Sequence, residues 1–86
     1  MTGILRRAAD LGVLVSDGIV YVAPLPEGPI MVLTDAAAEV WLVADGAAPG
    51  SVAARLAARR GVTEAEAAPD ADRYLRAFTD AGLLRA

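Results

Sequence analysis

In the stretch GVLVSDGIVYVA, residues 12–23, an Asp-Gly pair separates two runs of β-prone residues. Asp-Gly favours the two-residue type I′ hairpin, in which both central residues take φ above zero. A turn that short fixes the pairing: Ser16 with Ile19, Val15 with Val20, Leu14 with Tyr21 and Val13 with Val22. Side chains alternate along a strand. One face of the hairpin therefore carries Val13, Val15, Val20 and Val22, and the other carries Leu14, Ile19 and Tyr21. Both faces are apolar. A further candidate strand, residues 30–33 in PIMVLTDAAAEVW, also lacks polar alternation. A small chain has difficulty covering such a sheet on both sides, so something else must lie on its second side or along its free edge.

The chain has 86 residues, enough for one domain spanning 1–86 and too few for two. Hydrophobic residues make up 56% of it, but alanine, which buries little area, is frequent among them. The expected core is thin and the expected stability lies near the low end of the ~5–15 kcal/mol usual for domains. There is no cysteine and no histidine, which excludes thiolate chemistry, disulfides and the commonest general base and metal ligand. The opening MTGILRRAADLGVLVSDG has no apolar run long enough for a signal peptide or a membrane span, so a cytoplasmic protein without membrane association is expected. Net charge is −3, a poor footprint for a nucleic-acid binder. Residues 1–9 mix arginine with small residues and read as a flexible arm.

After the hairpin, PLPEGP is a loop and Pro29 opens the strand of Ile30, Met31, Val32 and Leu33. Thr34-Asp35 marks a helix start. The first helix is expected over 35–45, with Ala37, Val40, Trp41 and Ala44 inward, and ends at Asp45-Gly46. The second begins at Ser51, buries Val52, Ala53, Leu56 and Ala57, and stops at Gly61. Thr63 and Glu66 match a capping box, but Pro69 would interrupt a helix begun there. The reading adopted is a short turn over 63–67 and a main third helix from 69 to about 81, closed by Gly82, with Ala71, Tyr74, Leu75 and Phe78 as its core stripe. The predicted class is α+β, order βββααα: a three-stranded antiparallel sheet followed by three helices, as in a winged helix-turn-helix with its wing strands first.

No constellation points to catalysis. Asp35, Asp45 and Asp70 read as cap or turn residues, because a carboxylate dyad needs a cleft and a raised pKa that nothing here suggests. There is no Gly-rich phosphate loop and no metal-ligand spacing; no cofactor is implied. Trp41 reads as core, and Arg55, Arg59 and Arg60 as a solvated basic face.

Taken together, SDGIVYVAP, PIMVLTDAAAEVWLVADG, SVAARLAARRG and DADRYLRAFTDAGLL resemble the PqqD-like family, the leader-peptide recognition elements of pathways that modify ribosomally made peptides. The resemblance covers about residues 11–85 and rests on pattern: the Asp-Gly hairpin, an apolar strand ending at a helix cap, a late tryptophan in the first helix, an Asp-Gly exit and a terminal Gly-Leu-Leu. It implies a winged helix-turn-helix fold. It also implies a non-catalytic adaptor that holds a precursor's leader peptide as an added strand on the third strand, against the third helix. Without a fused enzyme the chain resembles stand-alone members, best those of lasso-peptide pathways. There the partners are the leader, often with a Tyr-x-x-Pro element, a leader protease and an ATP-dependent cyclase. The alternative within the family is a partner of a radical SAM peptide-modifying enzyme. Carried onto this sequence, the leader-binding residues are Ile30, Met31, Val32 and Leu33 on the strand. On the third helix they are Asp70, Arg73, Tyr74, Arg76 and Ala77, and the flank with Asp70, Arg73, Ala77 and Ala81 is preferred over that with Asp72, Arg76 and Thr79. A winged-helix DNA-binding regulator is the competing class, and Asp70, Asp72 and Asp80 beside Arg73 and Arg76 weigh against it.

Overall fold

In the computed structural model, which describes residues 3–86, Asp17 and Gly18 take φ of 50° and 77°, the paired positive values a type I′ turn demands. The chain runs β1 (Arg6–Arg7), β2 (Leu11–Ser16), β3 (Ile19–Pro24), β4 (Met31–Leu33), α1 (Asp35–Ala44), a 3-10 turn (Pro49–Ser51), α2 (Val52–Arg60), α3 (Glu64–Asp80) and β5 (Leu84–Arg85). The hairpin register is the one the turn dictates, Val13 opposite Val22 through Ser16 opposite Ile19. β4 pairs antiparallel with β3, giving a sheet ordered β2-β3-β4. The three helices follow it, so the fold is α+β in the winged helix-turn-helix order.

Val20, Val22 and Leu33 face the helices and are buried with Ala38, Val40, Trp41 and Ala44 of α1, Val52, Leu56 and Ala57 of α2, and Ala67, Ala71 and Phe78 of α3. Ala37, expected inward, is only partly buried; Ala38 takes the deeper place. Trp41 is the largest fully buried side chain and meets Phe78 edge-on, with centroids 5.3 Å apart at 88°. This is a favourable geometry for aromatic quadrupoles. α2 ends as expected at Gly61, whose φ of 71° suits a residue without Cβ, and whose N–H donates to the Ala57 carbonyl at 2.9 Å. Thr34 and Ser51 occupy the N-cap positions of α1 and α2, but neither side chain makes a capping bond.

Two expectations are corrected. The third helix starts at Glu64, before Pro69, because the capping box forms: Thr63 Oγ1 accepts the Glu66 N–H at 3.2 Å and Glu66 Oε1 accepts the Thr63 N–H at 3.4 Å. The bond that Pro69 cannot donate would have gone to Ala65, and both residues lie on the exposed side of α3. Water can serve that carbonyl, while the added N-terminal turn buries Ala67.

The second correction concerns the expected N-terminal arm, whose first two residues lie outside the described residues. Leu5 is 1% exposed, a core residue. Its N–H donates to the Ala47 carbonyl at 2.7 Å, and its carbonyl accepts the Gly46 N–H at 2.8 Å. Arg6 and Arg7 then pair with Arg85 and Leu84, and Ala8 donates to the Leu83 carbonyl at 2.9 Å. The Arg7 guanidinium lies over the Trp41 ring, 5.1 Å from its centroid. A core this thin gains a lid when the chain start is sewn to the chain end. Leu5→Ala is therefore expected to cost about 2–5 kcal/mol, as for buried leucines generally. The melting temperature should fall on the order of 10 °C or more. Thermal denaturation followed by circular dichroism checks this; an unchanged midpoint would return the segment to a loose arm.

Candidate functional site

The two-residue turn also fixes which backbone groups face where. Residues flanking such a turn exchange both hydrogen bonds, and bonded pairs then recur at every second position. Ser16–Ile19, Leu14–Tyr21 and Gly12–Ala23 are thus the bonded pairs, and the series continues in the Leu25 N–H donating to the Asp10 carbonyl at 2.7 Å. Val20 and Val22 consequently turn their backbone groups to β4, where they meet Leu33 and Met31. Val32, between them, points its N–H and C=O away from β3. No described strand takes them up, since β1 pairs only with β5. The other sheet edge is β2.

This free edge of β4 is short at both ends. The next bonded pair would join Pro24 to Pro29, and neither has an N–H to give. The strand therefore begins at Met31, one residue later than its sequence suggests, and Ile30 lies just outside it. Gly28 keeps the intervening loop close: a Cβ there would sit 2.8 Å from the Pro24 carbonyl oxygen. At the other end Asp35, with φ of 52°, turns the chain sharply into α1; aspartate is among the residues that tolerate this region.

The pleat splits the strand's side chains. Leu33 is buried and Met31 half-buried against the core, on the helix side. Val32 is 56% exposed on the outer face, and Ile30 is 67% exposed. On that outer face Leu14, Tyr21 and Val32 stand in one row across the three strands. Leu14, Tyr21, Gly12, Val13, Ala23 and Ile30 line a shallow apolar cleft of about 420 Å³. The sequence pattern had shown an apolar second face without marking Leu14 and Tyr21 as part of a site.

The α3 residues expected at the site are not all brought together. Tyr74 is half-buried, stacked obliquely on Phe78 at 6.4 Å, and the Arg73 guanidinium lies over its ring at 5.3 Å. Ala77 is exposed, one turn further along. Arg76 lies on the other flank, lining a separate cleft of about 330 Å³ with Leu5, Pro49, Asp72, Leu75 and Thr79. Asp70 is engaged within the fold: its Oδ2 accepts from Arg60 Nη1 at 2.9 Å, and Arg60 Nη2 also donates to Glu39 Oε1 at 2.9 Å. Glu39 first, then Asp70, raises the Arg60 pKa above its ordinary value by bonding to the charged form. One guanidinium so ties α1, α2 and α3 together. Arg60 is not a freely solvated residue of a basic face; Arg59, 3.9 Å from Glu39 and half-exposed, is nearer that description.

Among the described residues no group of His, Cys, Asp and Glu side chains is placed to hold a metal ion, and no helix is long and apolar enough to cross a membrane. The arrangement offers a short strand edge, with the Val32 backbone donor and acceptor between an outer apolar row and the half-buried Met31 on the helix side.

Comparison with known proteins fits this geometry. The family described as coenzyme PQQ synthesis protein D (PqqD) matches residues 21–84. No curated protein sequence matches the chain. Among solved structures, TbiB1 in complex with the TbiA(beta) leader peptide superposes with a TM-score of 0.76, over 94% of this chain and 95% of that one, at 20% identity; at that identity the likeness speaks to the fold.

Arg60→Ala is expected to lower stability by about 1 kcal/mol, the scale of a partly exposed ion-pair network. Because Arg60 helps to position α3, the substitution should also weaken, without abolishing, any binding that uses α3 beside the β4 edge. Urea denaturation at low and high salt checks the first part, because the wild-type advantage should shrink as salt screens the pairs.

Proposed function

The chain belongs to the PqqD family, and we propose that it is a non-catalytic adaptor that binds the leader peptide of a ribosomally synthesised precursor. The leader adds as a strand to β4, beside α3, and is presented there to modifying enzymes. One observation carries this reading: Val32 keeps both backbone groups on an unpaired edge while the chain's own ends are tied to each other elsewhere. An exposed apolar edge without a charge or bulge is a liability unless it is used. The fold shared with TbiB1, a protein solved with a leader peptide bound, supports the same use.

On the enzyme side the proposed recipients are a leader protease and an ATP-dependent cyclase of a lasso-peptide pathway, acting in the cytoplasm. The fold shared with a protein solved with a leader peptide bound supports the leader-binding step that delivery to these enzymes requires. The alternative recipient is a radical SAM peptide-modifying enzyme; the leader-binding step is common to both. A Tyr-x-x-Pro element in the leader would bring its ring to apolar side chains such as Met31 and Tyr74. Ile30, Met31, Val32 and Leu33 supply the strand contact, and Arg73, Tyr74 and Ala77 the helical wall. Asp70, held by Arg60, acts through the position of α3, and Arg76 reaches only a leader that wraps round the helix.

Ordering a disordered leader costs ~2–5 kcal/mol, which apolar burial at ~25 cal/mol per Å² must offset. Net affinity is expected at roughly −8 to −11 kcal/mol. Titration with a synthetic leader from the neighbouring precursor, followed by backbone amide shifts, should move residues 29–34 and 69–81. Shifts centred on Arg55 and Arg59 would place the leader elsewhere.

Val32→Pro removes one outward donor without touching the bonds to β3, and proline is tolerated with its nitrogen on a free edge. Leader affinity should fall about ten-fold, the scale of one lost backbone bond. Val15→Pro on the β2 edge is the control and should bind normally; the reverse pattern would move the site to β2. Leader binding should also hardly change between low and moderate salt, where contacts to nucleic-acid phosphates would collapse.

A further inference from the structure

The helices cover one side of the sheet; on the other, the Leu25 side chain lies beside Gly12 and no described helix or strand packs over the rest. Its positions are Gly12, Leu14 and Ser16 on β2, Ile19, Tyr21 and Ala23 on β3, and Val32 on β4, with Ile30 just before it. None is charged. An antiparallel sheet with one solvated face normally alternates polar residues outward. Here Leu14 is 63% exposed, Val32 56% and Ile30 67%, and the half-buried Tyr21 joins Leu14 to Val32 in one row. Single exposed apolar residues are ordinary; a contiguous apolar row is not.

The row Leu14–Tyr21–Val32 ends on the one β4 residue whose backbone is turned outward. A strand hydrogen-bonded to Val32 places the residue directly opposite it on the same face, because cross-strand partners share a face in either strand orientation. The residue two positions along lands beside Ile30, at the border of the cleft over Gly12 and Ala23. An incoming peptide cannot use this edge without extending these rows by one column.

Resting on the strand-addition reading above, we infer that the protein selects peptides on the outer face of the added strand as well as on its helix side. The residue opposite Val32 and the one opposite Ile30 are apolar and uncharged, and they complete a four-column apolar surface. The recognised segment is thus apolar at four or more successive positions, like β4 itself, where a peptide read from the helix side alone would alternate with polar residues. Ionised side chains at the two outward positions meet no counter-charge among the outer-face residues and lose water to the neighbouring apolar surface. The leader segment is therefore depleted of Asp, Glu, Lys and Arg there.

The test uses the full chain and a displayed library of random linear peptides, with hydrogen exchange at the Val32 amide locating the bound strand. Selected peptides should protect that amide and carry apolar residues at alternate outward positions. Replacing the outward residue opposite Val32 by Asp or Lys in a synthetic peptide should weaken binding about five-fold or more, while Val or Ile restores it. Selection on Val32→Lys, a change at an exposed position, should favour Asp or Glu at that same peptide position. If the Val32 amide is protected but the position opposite accepts Asp, Lys, Ser and Val within two-fold, the outer-face inference falls and strand addition stands. If no peptide protects that amide, both fall. If Leu14→Lys abolishes a self-associated species at unchanged peptide affinity, the face belongs to a second copy and the inference is again overturned.

Discussion

The phase of the sheet is set by two residues. Asp17 and Gly18, both at positive φ, hold the hairpin to a single register, and β4 inherits that register through β3. Because the side-chain period is two, a slip of one position would carry Val20 and Val22 out of the core and bring Leu14, Tyr21 and Val32 in. The same slip would turn the backbone groups of Met31 and Leu33 to the free edge in place of those of Val32. Core composition, the apolar outer row and the available edge are therefore three consequences of one turn. The burial of Val20 and Val22 reinforces it, since the alternative register would leave the helices facing the wrong side chains.

What the sheet rests on is narrow. Alanine supplies much of the helix–helix contact, so the helices approach closely but hide little area each, and Trp41 provides the bulk. Its ring is closed off by Phe78 on its edge and by the Arg7 guanidinium over its face. That second cover comes from the chain start, where the β1–β5 ribbon joins both ends of the molecule. The Arg60 bridge to Glu39 and Asp70 gives three alanine-rich helices a fixed relative position that small side chains specify poorly. Both devices lie away from the β4 edge, which is why that edge can remain unpaired while the rest of the chain is closed.

Much of this was legible in the sequence, and the failures have identifiable causes. The hairpin, its register and the helix ends at Gly61 and Gly82 were readable because each rests on local backbone chemistry. The start of α3 was misplaced because proline was weighed as a breaker without knowing which side of the helix it would occupy; on the solvated side its cost is small. The N-terminal ribbon was invisible because a two-residue strand has no period, and its partners lie at the opposite end of the chain. Of the expected site, the strand residues are where the pattern put them, apart from Ile30, which the two prolines exclude from the ladder. The bond between Asp70 and Arg60 was not legible, because the two are ten residues apart on different helices and no local rule links them.

The length of the edge bears on how it can work. Within β4, Met31–Leu33, only Val32 turns both backbone groups away from β3. Two hydrogen bonds at a net ~0.5–1.5 kcal/mol each fall far short of the ~8 kcal/mol that micromolar binding requires. A peptide held only by its backbone would not stay, and two copies of this chain meeting edge to edge gain equally little. That shortness protects the protein from self-pairing through a strand it cannot afford to charge. Affinity must then come from side chains on either side of the added strand, and the backbone pair acts chiefly to fix the peptide's register. A peptide placed out of register by one residue would exchange the side chains meant for the two surfaces and bring a flanking polar residue onto one of them. Selectivity in such a site follows from the same period of two that orders the sheet.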